Sequence, residues 1–537
     1  MKGEYFMGLQ DYVNELSDSK KNELLGCGDK DSKHRAFAAK RVVHAGLLGD
    51  PVAQAEQQAV WLQAMEKPAD VAKEHTIYIH IPFCQTKCLY CGFYQQASQQ
   101  EKEDEYMDHL LMEIERDSEK AQFRGNKIKA VFIGGGTPTS LSAQNASRLL
   151  QAVQSHFDLA EDCEITFEGR VNDIVEDKVS AWLSGGVNRI SLGVQSFNTE
   201  LRQRVGRIDT GEEVMKRLHM LKTYDVTVIV DLIYGLPGQT REIWLEDLRM
   251  LAKSPVDGMD IYQLNVFPGG ALEQAVKNGA VPSGADIAGQ ADLYAEARTF
   301  LFEQGFERLS LCHWRRDSRE RSLYNTLAKT GAVVYPFGSG AGGNFAGLSF
   351  MQQRQAEAYQ VAVARGDKPI MMMAHQVEKK LQQVSETIIY SLEKGFLDFK
   401  QLCRQENRLQ ELTLVLDRWE AYGLIQKAAE IYRLTPEGEF WYISMTQSLV
   451  ECSQVIFAGT TSSVQEKESD TLDALDEIIA EILPESTLDE RRNMVKKIPL
   501  PVRMMLKRSS KEALKSMLNG LPANMFERMI GKAASCK

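Results

Sequence analysis

Several features are missing from this 537-residue chain, and their absence limits what it can be. The longest apolar stretches, such as residues 227–236, are interrupted by charge (Asp231 in this case) and are far shorter than the roughly 20 residues of a membrane-spanning helix. The first 15 residues carry acids where a secretory signal has an apolar core. Basic charge is not in excess either, since 63 Lys+Arg and 74 Asp+Glu give 63 − 74 = −11. We therefore expect a cytoplasmic protein with no membrane span and no nucleic-acid partner.

The cysteines do not form a paired set. There are nine, an odd number, and most are scattered, which excludes a disulfide framework as the basis of the fold. Three are grouped within eight residues: Cys84, Cys88 and Cys91. The others have no neighbouring cysteine and are predicted to be structural thiols: Cys27, Cys163, Cys312, Cys403, Cys452 and Cys536.

The length predicts several domains, because single cores stop growing at roughly 250–300 residues. Patterning predicts a helical N-terminal extension (1–75), an α/β domain (76–270), an α/β segment that completes it (271–375), a helical, winged-helix-like domain (376–448), and an acidic linker with a basic helical tail (449–537). From residue 491 to 537 there are twelve basic and two acidic residues, a net charge of 12 − 2 = +10. That tail is interpreted either as an amphipathic appendix or as a docking surface for an acidic partner.

Short β-branched runs alternate with amphipathic helical patterns in the central region. The predicted strands are 76–83, 129–136, 164–169, 189–196, 227–235 and 259–267, and the predicted helices are 101–119, 141–156, 174–183, 211–223 and 240–252. Alternation of this kind indicates parallel βα units. Six strands are too few for a closed eight-stranded barrel, so we predict an α/β fold with a partial, open (βα)6 barrel whose ligands bind at the carboxyl ends of the strands.

The grouped cysteines follow the first predicted strand with the spacing CxxxCxxC. Three thiolates on one short loop can hold three irons of a [4Fe–4S] cube and leave the fourth iron without a protein ligand. A structural zinc site, with His80 as a further ligand, is one alternative, although such sites are usually built from CxxC pairs. Buried free thiols are another. The spacing, with Tyr90 just before the last cysteine, favours the iron–sulfur cluster.

This cysteine pattern, with the run Gly134-Gly-Gly-Thr137-Pro138 after the second strand, resembles the radical S-adenosylmethionine (SAM) superfamily. The resemblance implies a [4Fe–4S] cluster whose open iron binds SAM, and reductive cleavage of SAM to methionine and a 5′-deoxyadenosyl radical. It also implies a low-potential electron donor such as flavodoxin or a reductase.

Residues 76–445 resemble the oxygen-independent coproporphyrinogen dehydrogenases and their relatives, which act on tetrapyrroles and can bind two SAM molecules at one cluster. The shared segments are YIHIPFC, GGGTPT, GVQSF, DLIYGLPGQT, Pro268-Gly269, the GSGAGG run and YRLTPEG. By motif position, the resemblance assigns Tyr78, Gly135 and Glu168 to one SAM. It assigns to the second SAM Tyr90, Gly136, Thr137, Gln195, Arg207, Asp231 and Asn265.

Three branches of that family differ in sequence. Dehydrogenases carry a further cysteine two positions after the third ligand, where this chain has Phe93, and heme chaperones begin almost at the first strand, which here follows 75 residues. The segments HAGLLGDPV (44–52), EGR (168–170) and HWRRDSRERSLYN (313–325) are most similar to the anaerobic heme-degrading methyltransferases, the anaerobilin synthases. That resemblance implies methylation of heme or a related porphyrin, opening of the ring and release of iron; a heme chaperone and a coproporphyrinogen dehydrogenase are the alternatives.

His313 is the candidate catalytic side chain outside the SAM motifs. It could approach heme iron or donate a proton during ring opening, with Arg315, Arg316, Arg319 and Arg321 nearby to meet propionates. The alternative is a surface loop with solvated arginines.

Overall fold

The structure is a computed structural model, and it describes residues 8–28, 31–38, 40, 41 and 49–458. The described chain falls into two compact units. The larger unit contains residues 58–346 and 351–371, and the smaller one contains the described parts of 1–57, 347–350 and 372–458. Residues 44–48 of the HAGLLGDPV segment, Cys536, and the predicted linker and tail from residue 459 onward lie outside the described residues.

The β-strands of the described residues are named in chain order. They are β1 (Gly49–Pro51), β2 (His75–Ile81), β3 (Phe83–Cys84), β4 (Gln96–Ala97), β5 (Ile128–Gly135), β6 (Leu159–Gly169), β7 (Arg189–Gln195), β8 (Thr227–Tyr234), β9 (Gly258–Gln263), β10 (Glu307–Arg308), β11 (His313–Arg315), β12 (Val333–Phe337), β13 (Gly342–Phe345), β14 (Leu348–Gln352), β15 (Ile370–Gln376), β16 (Phe396–Asp398), β17 (Ile425–Ala428) and β18 (Ile431–Leu434).

The α-helices are named in the same way. They are α1 (Leu9–Glu15), α2 (Asp18–Leu25), α3 (Ser32–Arg35), α4 (Gln57–Met65), α5 (Gln100–Ser118), α6 (Ala143–His156), α7 (Glu176–Ser184), α8 (Thr199–Arg204), α9 (Gly211–Leu221), α10 (Arg241–Lys253), α11 (Ala271–Lys277), α12 (Ile287–Glu303), α13 (Leu323–Lys329), α14 (Ala356–Ala364), α15 (Lys379–Glu393), α16 (Phe399–Gln405), α17 (Thr413–Ala421) and α18 (Pro436–Ala458).

A parallel sheet forms the centre of the larger unit. Its strands lie in the order β13-β12-β2-β5-β6-β7-β8-β9-β11-β10, and all neighbours from β12 to β9 are parallel. The six predicted strands are confirmed as β2 and β5 to β9, each connected to the next through one or two helices. No strand pairing within the described residues closes the sheet into a complete barrel. The α/β fold with an open, partial barrel is therefore confirmed.

A seventh parallel strand was not predicted. The pattern of residues 271–375 predicts an irregular α/β segment that completes the domain but identifies no strand within it; in the structure, β12 pairs with β2 from Val333↔His75 to Phe337↔Ile79. Its sequence, VVYPF, is fully buried. It contains a proline and is followed at once by glycines, so it lacks the alternation that identifies a half-exposed strand.

Side chains of the parallel strands alternate between two faces, because partners in register project to the same side. One face is apolar and buried beneath the helices: Ile77, Ile79, Val131, Ile133, Ile165, Phe167, Ile190, Leu192, Val228, Val230, Met259 and Ile261. The opposite side, which we call the polar face, carries Tyr78, His80, Glu164, Thr166, Glu168, Arg189, Ser191, Asp231, Asp260 and Tyr262. Polar chemistry is thus concentrated on one side of the sheet.

The smaller unit has the predicted helical C-terminal region. Helices α15 to α18 pack with a three-stranded antiparallel sheet of order β16-β18-β17, a winged-helix-like arrangement. Trp419 and Trp441 are buried there, and their indole N–H groups donate to the backbone oxygens of Leu25 and Lys33 in the N-terminal region. Helix α18 runs through residue 448, where the sequence predicted a domain boundary, and ends at Ala458. Among the described helices, none has the length and apolar character to cross a membrane.

Candidate active site

The three cysteines lie on a loop that leaves the carboxyl end of β2. Cys84 and Cys88 are buried, and Cys91 is half-buried. Leu89 and Tyr90, between the second and third cysteines, pack against an apolar cluster formed by Leu201, Val205, Ile233, Leu236, Leu264 and Leu272. The loop is therefore anchored to elements that follow β7, β8 and β9, and its position is set by hydrophobic burial.

Two polar residues, Thr137 and Arg170, fix the loop from the other side. The Thr137 hydroxyl, after β5, donates to Cys84 Sγ at 3.3 Å. The guanidinium of Arg170, after β6, donates to the side-chain and backbone oxygens of Thr86 at 2.6 and 2.8 Å. Burial raises the pKa of the Cys84 thiol, while the Thr137 hydroxyl and the Arg170 charge act in the opposite direction. The hydrogen bond from Thr137 and the positive charge of Arg170 thus both favour the thiolate form of the first cysteine, against the effect of burial.

The donor set fits an iron–sulfur cluster better than a zinc ion. No three His, Cys, Asp or Glu side chains among the described residues are placed to hold one metal ion. A cubane takes each thiolate on a different iron, so its three ligands do not converge on one point. His80, the further ligand of the zinc alternative, has Nδ1 at 3.0 Å from the Tyr78 hydroxyl and Nε2 at 3.2 Å from Gln95 Nε2. Burial lowers the pKa of His80 to about 4, so its ring is neutral and already engaged.

The glycine run after β5 makes room beside the cysteine loop. A Cβ on Gly134 would lie 2.6 Å from Glu168 Oε2, and one on Gly135 would lie 2.7 Å from the His80 ring. Gly135 also has φ +114°, which side chains rarely adopt. A Cβ on Gly136 would lie 2.6 Å from the Phe83 oxygen. Only glycine lets this turn lie against the strands on both sides.

Tyr78, Gly135 and Glu168, assigned by resemblance to one SAM, are close together. The Gly135 N–H donates to Glu168 Oε2 at 3.2 Å, and the Tyr78 ring stacks on Phe132 beside them. Burial raises the pKa of Glu168 to about 7, and the Gly135 N–H and the Arg207 charge only partly offset this. The carboxyl group is thus poised to ionise when a cation or a hydroxyl donor approaches.

Arg207 links the second group of residues to the cysteine loop. Its guanidinium donates to the Tyr90 hydroxyl at 3.2 and 2.9 Å. Its pKa is raised, despite the opposing effect of burial, by Tyr90 and by the thiols of Cys88 and Cys91. The arginine therefore stays charged beside the cysteines, where it can meet a carboxylate.

Gln195 is held in an unusual backbone conformation at a β-bulge. Its φ is +71°, and the register between β7 and β8 shifts between Gly193 and Gln195. The side chain is buried, yet Oε1 has no hydrogen-bond partner among the described groups. A buried acceptor without a partner is costly, and a bound hydroxyl or amine would satisfy it. This orphaned oxygen fits a ligand such as SAM.

The remaining residues of the second group have different surroundings. Gly136 and Thr137 adjoin the cysteine loop, and Asp231 lies on the polar face, where burial, Asp260 and Glu168 raise its pKa well above the ordinary value. Asn265 is half-buried in the loop after β9. Most of the assigned residues therefore lie around the cysteine loop, whereas Asn265 lies at the edge of this group.

His313 is not on a surface loop. It forms part of β11, is 4% exposed, and lies between two carboxylates: Nδ1 is 2.9 Å from Asp260 Oδ1, and Nε2 is 3.1 Å from Glu320 Oε1. Nε2 is hydrogen-bonded to Glu320, whereas Nδ1 is within ion-pair distance of Asp260 without hydrogen-bond geometry. The neighbouring arginines contact their own protein, Arg315 through Glu307 and Arg319 through Asp225.

Sequence reasoning missed the residues that position others. Arg170 was noticed only as part of EGR, and Asp260 and Glu320 were not singled out at all. Asp260 follows from the strand pattern, since a lone acid inside the apolar run GMDIY is a signal of the polar face. Glu320 lies in the loop between β11 and α13, where no pattern marks it as buried.

Comparison with known proteins identifies the family. Residues 78–251 match the radical SAM superfamily. The chain is 38% identical over 411 residues to anaerobilin synthase of Escherichia coli O157:H7, which covers 76% of this chain and 91% of that protein. It is 28% identical over 388 residues to the heme chaperone HemW of Escherichia coli K12, covering 69% of this chain and 97% of the chaperone.

A solved structure supports the fold. The coproporphyrinogen III oxidase HemN of Escherichia coli, a radical SAM enzyme, superposes with a TM-score of 0.65 at 22% sequence identity. The match covers 78% of this chain and 96% of that one.

We expect substitution of Cys84, Cys88 or Cys91 by Ala to remove the broad iron–sulfur absorbance after anaerobic reconstitution, because each thiolate binds a separate iron. Cys163→Ala is the matched control, since this buried thiol lies on β6 as part of a different environment. Iron and sulfide content and the visible spectrum provide the measurement. A full cluster in any of the three variants would contradict the ligand assignment.

Arg207→Ala should weaken SAM binding by about 1–3 kcal/mol, because a charge-assisted hydrogen bond is lost. The cluster absorbance should persist. Arg204→Ala is the control: Arg204 lies on α8 and donates instead to the Pro237 oxygen at 3.1 Å. Equal SAM affinity in the two variants, measured by anaerobic equilibrium dialysis, would remove Arg207 from the site.

Proposed function

We propose that this chain is a C-methyltransferase that acts on heme without oxygen. The premise is that the chain belongs to the radical SAM superfamily and to the group within it that contains anaerobilin synthase. The proposed reaction methylates the macrocycle and opens it to a linear tetrapyrrole, and iron is released. Electrons come from a low-potential donor such as flavodoxin or a reductase. The 38% identity to anaerobilin synthase supports the heme-related assignment.

The observation that carries the substrate class is a group of exposed apolar side chains around the cysteine loop. Phe93 is 60% exposed and Ile208 is 55% exposed, and Tyr262, Val266 and Phe267 are exposed as well. We call these five residues the apolar rim. Tyr262 lies near the carboxyl end of β9, and the other four follow the carboxyl ends of β2, β7 and β9, which lie at the same edge of the sheet. Exposed apolar patches usually mark binding surfaces, and this one suits a large, flat, apolar ligand such as a porphyrin.

The rim is continuous with the cysteine loop. A Cβ on Gly92, the residue after Cys91, would lie 3.2 Å from the Phe267 ring, so this ring lies against the backbone of the loop. Ile208 follows Arg207 in the sequence, and the Arg207 guanidinium donates a hydrogen bond to the Tyr90 hydroxyl. A macrocycle on the rim would therefore lie next to the ligands of the cluster, as a reaction between SAM and the porphyrin requires.

The chain's own residues bind and orient the cofactors. Cys84, Cys88 and Cys91 hold the cluster, which when bound supplies an open iron for SAM and the electron for its reductive cleavage. Tyr78, Gly135 and Glu168 contribute to one SAM site. A second SAM site would use Tyr90, Gly136, Thr137, Gln195, Arg207, Asp231 and Asn265. Two SAM molecules suit this reaction, since one serves as radical source and the other as methyl donor.

The packing around the loop buries several groups of the proposed site. Leu89 and Tyr90 cover the apolar cluster that follows β7 to β9, and Thr137 is fully buried beneath Cys84. Exclusion of water protects reactive species and strengthens the electrostatic interactions of Arg207 and Glu168.

Heme transfer without turnover is the competing function. The similarity to the heme chaperone HemW favours heme transfer, because the alignment with that protein covers 69% of this chain. A chaperone would bind heme stoichiometrically, pass it to an apo-protein and form no methylated product. Decarboxylation of coproporphyrinogen is a third function, and the exposed Phe93, at the position of the dehydrogenases' additional cysteine, counts against it.

Anaerobic incubation with heme, SAM and a reductant tests the proposal. We expect loss of the heme Soret band, release of iron, and a product whose mass corresponds to a methylated, ring-opened tetrapyrrole. A Soret band that persists while SAM is consumed would refute heme degradation. Transfer of intact heme to an apo-protein would identify a chaperone, and carbon dioxide from coproporphyrinogen a decarboxylase.

Phe93→Ala should weaken heme binding several-fold, because an aromatic face of the apolar rim is lost, while SAM cleavage without heme should stay unchanged. Leu62→Ala is the control: Leu62 is 46% exposed on α4, away from the rim. Heme affinity is measured by absorbance titration. Equal affinity in both variants would show that the rim does not bind the macrocycle.

A further inference from the structure

A chain of buried charged groups extends from His313 to the site. Asp260, His313, Glu320 and Arg189 are all at most 5% exposed. His313 Nδ1 lies 2.9 Å from Asp260 Oδ1, and Nε2 lies 3.1 Å from Glu320 Oε1. Arg189 in turn donates to both oxygens of Glu320, through Nε to Oε2 at 2.9 Å and through an NH₂ group to Oε1 at 3.0 Å.

Asp260 connects this chain of charges to Asp231. The two aspartates are register partners on the parallel strands β8 and β9. Neighbouring strands are about 4.8 Å apart, so side chains of register partners project side by side from the same face. Asp260 is also the register partner of His313 on β11. One carboxylate thus lies between a candidate SAM-binding aspartate and a buried histidine.

The groups that face Asp231 leave it short of positive charge. Burial is the largest cause of the raised pKa of Asp231; Asp260 and Glu168 raise it further, and Arg189 and Arg207 lower it less strongly. Tyr262 also lies near both aspartates. Arg207 is shared with Tyr90 and the cysteine loop, and Arg189 is shared with Glu320 and Glu164. Among the described groups near Asp231 and Asp260, His313 is the one further side chain that can carry a positive charge.

His313 has the surroundings of an imidazolium ion. Its partners on both sides are carboxylates, and they raise its pKa to about 9 in spite of burial. Glu320, with Arg189 and His313 as neighbours, has its pKa lowered to about 2 and is ionised. Glu320 is therefore balanced by Arg189, and the charge on His313 is available to balance Asp260.

We propose that His313 is a positioning residue for SAM: its positive charge neutralises Asp260, so that Asp231 can ionise when SAM binds and accept hydrogen bonds from SAM hydroxyls. This inference rests on the proposed function, because it takes Asp231 as part of a SAM site. His313 acts through Asp260 and touches neither SAM nor heme.

The direction in which each substitution shifts the pH midpoint of SAM binding follows from this arrangement. Loss of the imidazolium in His313→Gln leaves Asp260 uncompensated, so the pKa of Asp231 rises and tight SAM binding begins at a higher pH. Loss of the carboxylate in Asp260→Asn has the opposite effect. Each change in a neighbouring charge should move the midpoint by about one pH unit or more. The double variant removes both charges and should return the midpoint close to that of the unaltered protein.

The test is SAM affinity as a function of pH, measured by equilibrium dialysis on the anaerobically reconstituted full chain. Cluster content and circular dichroism are recorded for each variant, so that a folding defect is detected separately. His219→Gln, an exposed histidine on α9, is the control and should leave the midpoint unchanged. A variant that fails to assemble a cluster is replaced by His313→Asn, which also removes the charge.

Opposite shifts in the two single variants, with compensation in the double variant, would support the proposal. An affinity loss that is uniform across pH in His313→Gln would indicate packing alone and would overturn it. SAM binding is measured without heme, so the outcome does not depend on whether heme is the substrate. An unshifted midpoint beside normal heme degradation would refute the role of His313 and leave the proposed function standing.

Discussion

The site depends on how the cysteine loop is attached to the sheet. Apolar burial of Leu89 and Tyr90 sets its position, and donors from two other strand ends, Thr137 and Arg170, fix it around Cys84 and Thr86. A loop of this length with three thiols has many conformations, and fixing it costs conformational entropy. Anchors on both sides offset that cost before a cluster binds, so the ligands are held near the carboxyl ends of the strands where the other residues of the site lie.

Strand alternation explains why those residues are on one side. The apolar face of β2 to β9 packs beneath the helices, as in other parallel sheets, but the polar face carries carboxylates, an arginine and a histidine. Burial of so many ionisable groups destabilises a fold unless they are paired. Lys368 shows the structural solution elsewhere in the same unit, where its ammonium group bonds Glu113 and Asp117 and leaves neither carboxylate unpaired. Among the residues that the structure describes, Glu168 and Asp231 have no comparable ion-pair partner, and burial raises the pKa of both.

Much of this could be predicted from the sequence because the signals are local. Runs of β-branched residues predict the six parallel strands. The motifs CxxxCxxC and GGGTP identify the cysteine loop and the glycine turn directly. Features that depend on contacts distant in sequence could not be predicted in this way. Arg170 reaches Thr86, which is 84 residues away, and Glu320 meets Arg189 across 131 residues. His313 was singled out for its residue type, but its burial between two acids depends on the antiparallel pairing of β11 with β9, which no periodicity in a three-residue strand reveals.

The charge of the polar face also bears on what the site is built to hold. Glu168 and Asp231 lie on the same face and disfavour each other's ionisation, so without a ligand at least one is pushed towards the neutral form. SAM carries a sulfonium and an ammonium group against one carboxylate, and its net positive charge would favour ionisation of both. Arg207, already hydrogen-bonded to Tyr90, is placed to meet the carboxylate of such a ligand, and Gln195 offers an acceptor oxygen that no described group satisfies. A neutral apolar ligand would satisfy none of these groups, which supports the proposed division between a charged interior for SAM and an apolar rim for the macrocycle.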